Sequence, residues 1–343
     1  MKLKFLCMEL SGTGGTETVL VKVLNELCAT NEIELILTNH PKQNAFLEKL
    51  NHKITVTYAT GKIGKLAKIT NKFVFASDDT YFISLSPKML KLGAKIRQIL
   101  HKNYKLVSWI HFSLDDQDMF DAKSTVPLAD LHLALNSTIK EQLLSYGVAE
   151  DKIFLVYNPI EPSAKVLEKG SAPRFFYAGR VIFAGQKNLK EMFDALKLYP
   201  EATLDIYGTG EDLSYCQEYT KKIGVSKQIT WHGFVDDLWA KFQEKPTALL
   251  LTSTYEGLPM IVLEAIAHGI PVISSDFNGY QDVVKPGSNG YVYSLGDPKE
   301  LAQKMKELYD HPLSDQDIKK SITPFYPKNY FEAFTKALQS LEK

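Results

Sequence analysis

The sequence predicts an α/β protein that folds as two doubly wound parallel-sheet domains. Short apolar runs alternate with helix-periodic segments from the first residues onward, and a second series of the same kind begins near Arg174. This alternation is typical of βαβ units, in which helices cover both faces of a parallel sheet. The chain of 343 residues is long for one such domain and suits two of them.

The first series opens with an apolar run, a glycine-rich loop at 11–16 and a periodic segment. Strands are expected there at 4–10, 33–38, 107–111 and 131–135, and a helix at 17–29. The second series repeats the order of strand, loop and helix. Strands are expected there at 175–178, 203–207, 229–232, 248–252 and 272–274, and helices at 189–198, 213–223, 260–268 and 299–309.

Prolines and polar residues between 158 and 173 indicate a linker between the two series. We therefore expect an N-terminal domain at 1–160 and a C-terminal domain at 161–325. The last segment, 326–343, has apolar residues on one side of a helical pattern. We expect this helix to cross back to the first domain.

Composition and charge exclude several classes of protein. Lysine and arginine total 40, as do aspartate and glutamate, so no overall basic excess favours nucleic acid. The 3 cysteines, Cys7, Cys28 and Cys216, are too far apart for a disulfide framework or a zinc-binding spacing. No apolar stretch approaches the roughly 18 residues of a membrane span, and the N-terminal run is too short for a signal peptide. We expect a cytoplasmic protein.

The most informative motif is a pair of glutamates, Glu256 and Glu264, separated by seven residues. An apolar run at 248–251 precedes the pair, Gly257 permits a tight turn, and Pro259 suits the first turn of a helix. Glu256 is therefore expected at the carboxyl end of a strand, where open α/β sheets bind ligands. Glu264 is expected inside the helix among apolar neighbours, where a carboxylate needs a partner.

A second motif places an arginine and a lysine after another strand. Arg180 follows the run at 175–178, and Lys187 precedes a helix-periodic segment. Two cations that converge on one spot can neutralise a diphosphate without a metal ion. The intervening residues 181–184 are apolar, which keeps Lys190 as the alternative to Lys187.

Three further places have the composition of strand-end ligand sites. Gly208 and Gly210 follow one strand pattern, and Phe234 and Val235 follow the next. His111 ends a strand of the first series, where it is either a packed structural residue or a ligand contact.

The loop after the first strand contains Gly14 and Gly15 and precedes a helix. Backbone N–H groups at such a helix start suit a phosphate or a sugar hydroxyl. The loop does not match G-x-G-x-x-G, and Glu32 and Glu34 flank the second strand instead of ending it. These departures disfavour a dinucleotide-binding domain.

Taken together, the motifs resemble the signature of retaining glycosyltransferases with the GT-B fold, in the large family four, the glycosyl transferases group 1. The sequence His268-Gly-Ile-Pro-Val-Ile-Ser-Ser-Asp276 continues the strand that is usual in that family. The resemblance implies two Rossmann-like domains that face a central cleft, the first for the acceptor and the second for the donor. It is strong in the second series and rests on architecture and two motifs in the first.

The resemblance also implies a role for each motif. In the family, the residue at Glu256 holds hydroxyls of the donor sugar, the one at Glu264 holds the ribose, and the pair at Arg180 and Lys187 binds the β-phosphate. His111 would contact the sugar near the reacting carbon. The other donor-binding residues that it implies are Gly14, Gly15, Gly208, Gly210, Phe234, Val235, Gly257, Leu258 and Pro259.

The activity implied is the transfer of a hexose or N-acetylhexosamine, with retained configuration, from UDP-galactose, UDP-glucose or UDP-N-acetylglucosamine. Segments 233–239 and 254–260 look similar to enzymes that build lipopolysaccharide core or capsule, so the acceptor is expected to be a cell-surface glycan or a lipid-linked saccharide. No metal or other cofactor is expected. The acidic pairs at 115–116 and 236–237 are interpreted as solvated acids or caps.

Two other functions remain open at this point. One is a non-catalytic subunit that binds a nucleotide sugar within a glycosylation complex. The other is an enzyme similar to UDP-N-acetylglucosamine 2-epimerase, although the acids and histidines of such an enzyme cannot be assembled from this sequence. Both would bind the same donor without transferring it.

The segment between Gly61 and Lys105 has ten lysines or arginines and only two acids. A helix at 87–100 is expected to bury Met89, Leu92, Ile96 and Ile99 and to keep Lys88, Lys91 and Lys95 off that stripe. The basic face is either a solvated helix surface or a patch for an anionic membrane or lipid-linked glycan. Such a patch would extend over Lys62, Lys65, Lys68 and Lys72.

Overall fold

The computed structural model describes residues 1–7, 10, 15–61, 64–85, 87–111, 113–115, 120–165 and 167–342. The chain divides into two compact units, Met1–Pro159 with Lys328–Lys343, and Ile160–Pro327. In the described part of the chain, no helix combines the length and the apolar character that crossing a membrane requires.

The first unit is built on a parallel sheet of seven strands. They are β1 (Lys2–Cys7), β2 (Glu32–Leu37), β3 (Thr55–Tyr58), β4 (Thr80–Ser84), β5 (Lys105–Ile110), β6 (Leu131–Ala134) and β7 (Ile153–Leu155). The connecting helices are α1 (Gly15–Leu27), α2 (Gly64–Val74), α3 (Pro87–Leu100), α4 (Ala122–Thr125) and α5 (Ser137–Ser145). The strand order is β3-β2-β1-β4-β5-β6-β7.

The second unit is built on a parallel sheet of six strands. They are β8 (Arg174–Ala178), β9 (Thr203–Tyr207), β10 (Ile229–Gly233), β11 (Ala248–Leu251), β12 (Val272–Ser275) and β13 (Gly290–Tyr293). Its helices are α6 (Leu189–Lys197), α7 (Leu213–Ile223), α8 (Met260–Ala267), α9 (Pro298–Asp310) and α10 (Asp315–Lys320). The strand order is β10-β9-β8-β11-β12-β13.

The strand order of each sheet turns back at one point. This point lies between β1 and β4 in the first sheet and between β8 and β11 in the second. At such a switch point, the loops after the two central strands separate and leave a crevice that binds ligands. The predicted fold class of two doubly wound parallel sheets is confirmed.

The last helix, α11 (Pro327–Gln339), lies mostly in the first unit. Its Phe334 is fully buried and packs edge-on against Trp109 of β5, with 5.7 Å between the ring centroids. Burial of this apolar face is what anchors the end of the chain to the first sheet.

The first strand begins earlier than expected, and residues 8 and 9 of the expected range lie outside the described part of the chain. The sequence predicts a strand at 4–10, whereas β1 begins at Lys2 and ends at Cys7. Lys2 pairs with both Glu32 and Thr80, so neighbours on two sides extend the strand into a polar residue. The predicted loop at 11–16 is also shorter, because Gly15 already belongs to α1. Residues 11–14 lie outside the described part of the chain.

Four strands have no predicted counterpart. They are β3, β4, β7 and β13, which are only 3 to 5 residues long. Length alone does not explain this, because β6, β11 and β12 are equally short and were predicted. The conformation of these four strands is set by pairing with neighbouring strands, which the local pattern does not show.

The buried stripe of α3 differs from the expected one. Ile99 was expected in the core but is 62% exposed, whereas Leu90 is fully buried. The helix approaches α2 closely at Gly93, where a Cβ would lie 2.7 Å from Cε1 of Phe73. Leu90 lies one turn before this contact and belongs to the same core cluster as Phe73.

Candidate active site in the second unit

The loops that follow β8, β9 and β10 are joined by backbone hydrogen bonds. Gly179 donates to the carbonyl of Tyr207 at 2.9 Å, and Gly208 donates to the carbonyl of Gly233 at 2.7 Å. A Cβ at Gly208 would lie 1.8 Å from the carbonyl oxygen of Gly179. The loops can therefore meet only because glycine occupies this position.

Gly210 permits a second close approach between the loops that follow β8 and β9. Val181 donates to the carbonyl of Thr209 at 2.9 Å, and a Cβ at Gly210 would lie 2.1 Å from the carbonyl oxygen of Val181. The sequence predicted both glycines as donor-binding residues. The structure supplies a packing reason for them that does not involve a ligand.

An open cleft of about 620 Å³ lies at the carboxyl ends of these strands. Its lining includes five predicted site residues, namely Arg180, Gly208, Phe234, Val235 and Glu264. The other lining residues are Ala178, Gly179, Tyr207, Thr209, Asp236, Asp237, Leu238, Trp239 and Ile261. Phe234 is 75% exposed, so a large aromatic face lies open at the cleft.

The predicted residues Lys187 and Glu256 form an ion pair. The Nζ of Lys187 lies 2.5 Å from Oε1 of Glu256, and the hydroxyl of Ser253 donates to the same oxygen at 2.6 Å. The two charged side chains are only 16% and 9% exposed. Glu256 is thus held in place by two donors at the end of β11.

The loop before α6 is fastened to the loop after β11. The backbone N–H of Thr254 donates to the carbonyl of Gln186 at 2.9 Å. The hydroxyl of Thr252 donates to the carbonyl of Lys187 at 2.9 Å. These contacts close the switch point between β8 and β11 and bring the Arg–Lys motif next to the first glutamate of the pair.

Arg180 is connected to this network through Gln186. The guanidinium Nη2 of Arg180 donates to Oε1 of Gln186 at 2.6 Å, and Nε2 of Gln186 reaches the carbonyl of Tyr255 at 3.5 Å. Gln186 was not predicted as a site residue. It is polar and lies in a loop, and only the folded arrangement shows that it spans from Arg180 to the glutamate loop.

Two of the apolar residues between Arg180 and Lys187, Val181 and Phe183, pack into or against the core, whereas Ala184 is exposed. Val181 is fully buried, and the ring of Phe183 packs edge-on against Tyr219 with 4.8 Å between centroids. Because this packing holds the middle of the loop, Arg180 is presented at one end and Lys187 at the other. Lys190, the predicted alternative to Lys187, instead pairs with Asp194 on the surface of α6 at 2.6 Å.

Glu264 lies on α8 and lines the cleft. The indole Nε1 of Trp239 donates to Oε2 of Glu264 at 3.3 Å. This meets the expectation that a carboxylate among apolar neighbours has a partner. Trp239 was not predicted as a site residue, although a tryptophan between the polar pair 236–237 and Lys241 is itself unusual.

Tyr207 closes the floor of the cleft. Its ring stacks on that of His232 with 4.3 Å between centroids and 8° between planes. Nε2 of His232 lies 2.6 Å from one oxygen of the buried Asp205, and Nε of Arg174 donates to the other oxygen at 2.6 Å. Burial raises the pKa of Tyr207, so this residue is a neutral phenol at physiological pH.

The other predicted residues of the glutamate motif form the turn into α8. Gly257 and Leu258 are half-buried, and Pro259 precedes the first residue of the helix. The carbonyl of Pro259 accepts the N–H of Val262 at 3.0 Å. These residues therefore shape the backbone between the two glutamates.

His111 lies in the first unit, directly after β5. It packs edge-on against Trp109 with 4.6 Å between ring centroids. The residue is partly exposed, but its Nε2 is covered and no described residue offers it a hydrogen-bond partner. Burial lowers the pKa of His111 to about 3, so the imidazole is neutral. Gly15 is exposed at the start of α1, and Gly14 lies outside the described residues.

The acidic pairs make local contacts. Asp115 accepts from the hydroxyl of Tyr146 at 2.7 Å, and Asp116 lies outside the described residues. Asp237 accepts from the N–H of Ala240 at 3.1 Å and caps a short turn, while Asp236 is exposed at the rim of the cleft.

The comparisons with known proteins agree with this geometry. Residues 160–323 match the family model described as glycosyl transferases group 1. The lipopolysaccharide 1,6-galactosyltransferase of Salmonella typhimurium is 32% identical over 360 residues, covering 99% of both chains. The enzyme of the same name from Escherichia coli K12 is 31% identical, covering 99% of this chain and 98% of the other.

Solved structures show the same fold over the whole chain. The apo form of the lipopolysaccharide outer core galactosyltransferase WaaB superposes with a TM-score of 0.88, at 31% identity and with 99% of each chain covered. Anabaena Alr3699/HepE in complex with UDP has a TM-score of 0.80 at 19% identity, covering 99% of this chain and 100% of that one.

The fold and the site therefore define a glycosyltransferase with two doubly wound domains of the GT-B class. The chain belongs to the family of glycosyl transferases group 1. The family resemblance and the enzyme class predicted from the sequence are confirmed.

Proposed function

We propose that this glycosyltransferase moves galactose from UDP-galactose, or another hexose or N-acetylhexosamine from its UDP-sugar, to a lipopolysaccharide core acceptor. Two relatives that span 99% of this chain are named lipopolysaccharide 1,6-galactosyltransferases. Neighbours with the same fold are solved with UDP and with UDP-glucose. The observation that carries the proposal is that Arg180 and Glu264 line one cleft, while Gln186 connects Arg180 to the loop that carries the Lys187–Glu256 ion pair.

The charges of the site suit a diphosphate leaving group. Breaking the bond between the sugar and the β-phosphate builds negative charge on the phosphate, and Arg180 and Lys187 would stabilise that charge without a metal ion. An ammonium group has three donors, so Lys187 can bind phosphate while it keeps its contact with Glu256. Removal of one such donor typically costs roughly 3 kcal/mol in the barrier.

The two glutamates would bind hydroxyls of the donor. Glu264 lies in the cleft between Trp239 and the loop of Phe234 and Val235, where it would accept from the ribose while the loop receives the base. Glu256, held by Lys187 and Ser253, would accept from a hydroxyl of the sugar.

We propose retention of the anomeric configuration by attack on the same face from which UDP leaves. The bond from the anomeric carbon to the phosphate oxygen breaks, the acceptor oxygen bonds to that carbon, and the acceptor's proton passes to the departing phosphate. Glu256 already accepts from two groups, which suits a hydroxyl-binding residue better than a covalent nucleophile. Exclusion of water from the closed site would limit donor hydrolysis.

The test is a donor and acceptor panel with the purified chain. UDP-, GDP- and ADP-sugars are each incubated with truncated lipopolysaccharide core, and nucleotide release and product linkage are measured. We expect UDP release that requires acceptor, and an α-linked product from an α-linked donor. A free sugar epimer would support an epimerase instead, and tight UDP binding without transfer would support a non-catalytic subunit. Full activity in a chelator would support metal independence.

A second proposal concerns the basic segment of the first unit. Lys91 and Lys95 are exposed on α3, and Leu66 on α2 is 60% exposed. Exposed cations and an exposed apolar side chain on two helices that contact each other suit peripheral contact with an anionic membrane, which would fit an enzyme that acts at the inner face. Lys65 and Lys68 also donate to Asn39 and to the carbonyl of Tyr58, each at 3.2 Å. Lys72 pairs with Glu34, and Lys62 lies outside the described residues.

Vesicle flotation tests this contact. The change of Lys65, Lys68, Lys91 and Lys95 to Glu should abolish binding to vesicles that contain anionic lipid. The matched control changes four exposed lysines of the other unit to Glu, namely Lys221 and Lys222 on α7 and Lys299 and Lys306 on α9. Equal loss in both variants would point to overall charge, and unchanged flotation of the first variant would reject the patch.

A further inference from the structure

Trp239 contacts three parts of the second unit at once. Its indole lies parallel to the ring of His268, with 4.1 Å between centroids and 11° between planes. Its Nε1 donates to Oε2 of Glu264 at 3.3 Å. Its edge meets the fully buried Phe176 of β8, with 6.2 Å between centroids and 87° between planes.

The short turn that carries Trp239 is fixed at both ends. At the start of the turn, the carboxylate of Asp237 accepts a hydrogen bond from the N–H of Ala240 at 3.1 Å. The ammonium group of Lys165 donates to the carbonyl of Trp239 at 2.8 Å and to that of Phe242 at 3.2 Å. Anchoring of this kind removes conformational freedom from the turn before any ligand binds.

His268 is itself attached to the helix of Glu264. Its Nδ1 lies 2.8 Å from the carbonyl oxygen of Glu264. Burial is the main cause that lowers the pKa of His268. The hydrogen bond with the carbonyl of Glu264 acts in the opposite direction, but the net pKa lies below its usual value, so the ring is neutral. The stack of a neutral imidazole on the indole therefore ties the turn of Trp239 to the last turn of α8.

We propose that Trp239 is a positioning residue that holds the carboxylate of Glu264 in the orientation required to bind the ribose of the donor. This rests on the proposed donor site. Glu264 lies among the apolar residues Ile261, Val262 and Leu263 of α8, and it lines a cleft open to water. The indole N–H donates to Oε2 of the carboxylate, and this contact fixes how the carboxylate is turned within the cleft. Trp239 acts through this contact and through its own fixed position.

The test measures the binding of UDP alone by calorimetry. Trp239→Phe keeps a flat apolar ring but removes the N–H donor, and the loss of one hydrogen bond that orients a charged group should weaken UDP binding about five- to tenfold. Trp231→Phe is the matched control, because Trp231 lies on β10 and packs against Phe193 on the core side of the same sheet. The control should bind UDP as the unmodified chain does.

A double-mutant cycle distinguishes positioning from general packing. If Trp239 acts through Glu264, then Trp239→Phe should add no further loss of UDP affinity in a chain that already has Glu264→Ala. An equal loss in both backgrounds, or no loss in either, would overturn the inference. If UDP does not bind to the unmodified chain, the proposed donor site fails as well, so the two failures are distinguishable.

The intact indole gives a second measurement that does not depend on how well Trp239→Phe folds. In Glu264→Ala, the assigned Nε1–H resonance of Trp239 should shift, because its acceptor is gone, while those of Trp109 and Trp231 stay in place. An unmoved Trp239 resonance would contradict the contact.

Discussion

Nζ of Lys187 lies 2.5 Å from Oε1 of Glu256, and this ion pair joins the loop after β8 to the loop after β11. The two loops leave the sheet at its switch point, where they would separate without a contact across it. The pair therefore has two roles in our proposal. It binds the donor on both sides of the bond that breaks, and it keeps the two loops together before the donor arrives.

Lys187→Met should lower both kcat and stability. The loss of a phosphate-binding cation should reduce kcat roughly 100-fold. Glu256 would remain as a buried charge without its cation, which costs on the order of 3 kcal/mol in the free energy of unfolding. The double variant Lys187→Met with Glu256→Gln should regain most of that stability and none of the activity. UDP release and chemical denaturation measure the two effects; a double variant no more stable than the single one would contradict the assignment.

Gln186→Ala should reduce activity with little change in stability. The guanidinium of Arg180 would lose the acceptor that directs it toward the glutamate loop, so we expect kcat/KM to fall by about tenfold. Lys190→Ala is the control, because that lysine pairs with Asp194 on the helix surface. Steady-state kinetics on both variants test the distinction, and an equal effect of the two changes would show that Gln186 does not orient Arg180.

Gly208→Ala should separate the strand-end loops. Its methyl group would lie 1.8 Å from the carbonyl oxygen of Gly179, so the backbone must move. We expect a lower Tm and loss of UDP binding. Gly64→Ala is the comparison, since a Cβ there meets nothing within 4 Å, and alanine at a helix start should be neutral or stabilise by up to about 1 kcal/mol. Similar melting curves for the two variants would refute this explanation of the glycine.

Acid should destabilise the first unit through His132. This residue is fully buried on β6, and burial is the main cause that lowers its pKa to about 4. Between about pH 6.5 and 4, the imidazole of His132 is protonated in the unfolded chain but stays neutral in the folded chain. The free energy of unfolding therefore falls as the pH is lowered, by about 1.4 kcal/mol per pH unit for one proton. His132→Leu should remove that proton uptake from the pH dependence of unfolding. The exposed His52→Leu should leave it unchanged, and a slope unaltered by His132→Leu would exclude the residue as its source.

The sequence was sufficient to predict those parts of the molecule that depend on local pattern. β9 and α7 match their expected ranges because their apolar residues recur with the period of a strand and a helix. For the same reason, Glu256 and Arg180 could be placed after strands and Glu264 inside the helix that follows. The strands β3, β4, β7 and β13 and the buried face of α3 could not be predicted, because residues distant in sequence determine them.

The contacts of the site needed the folded chain. Gln186 and Trp239 reach residues far along the sequence, and nothing in their local pattern indicates those partners. Gly208 and Gly210 show the converse case. Their position beside a ligand-binding edge was predicted, but the reason for glycine is the backbone of another loop, which no local pattern contains.

Backbone hydrogen bonds hold the loops at the strand ends together, whereas side chains on those loops line the cleft. Because these loops are joined through backbone N–H and carbonyl groups, the exposed side chain of Phe234 and the half-buried side chain of Val235 take no part in those hydrogen bonds. In the proposed donor site, substitution at these two positions would therefore change donor preference while the backbone hydrogen bonds between the loops are kept. The same freedom makes the pair a natural starting point for directed evolution toward other nucleotide sugars.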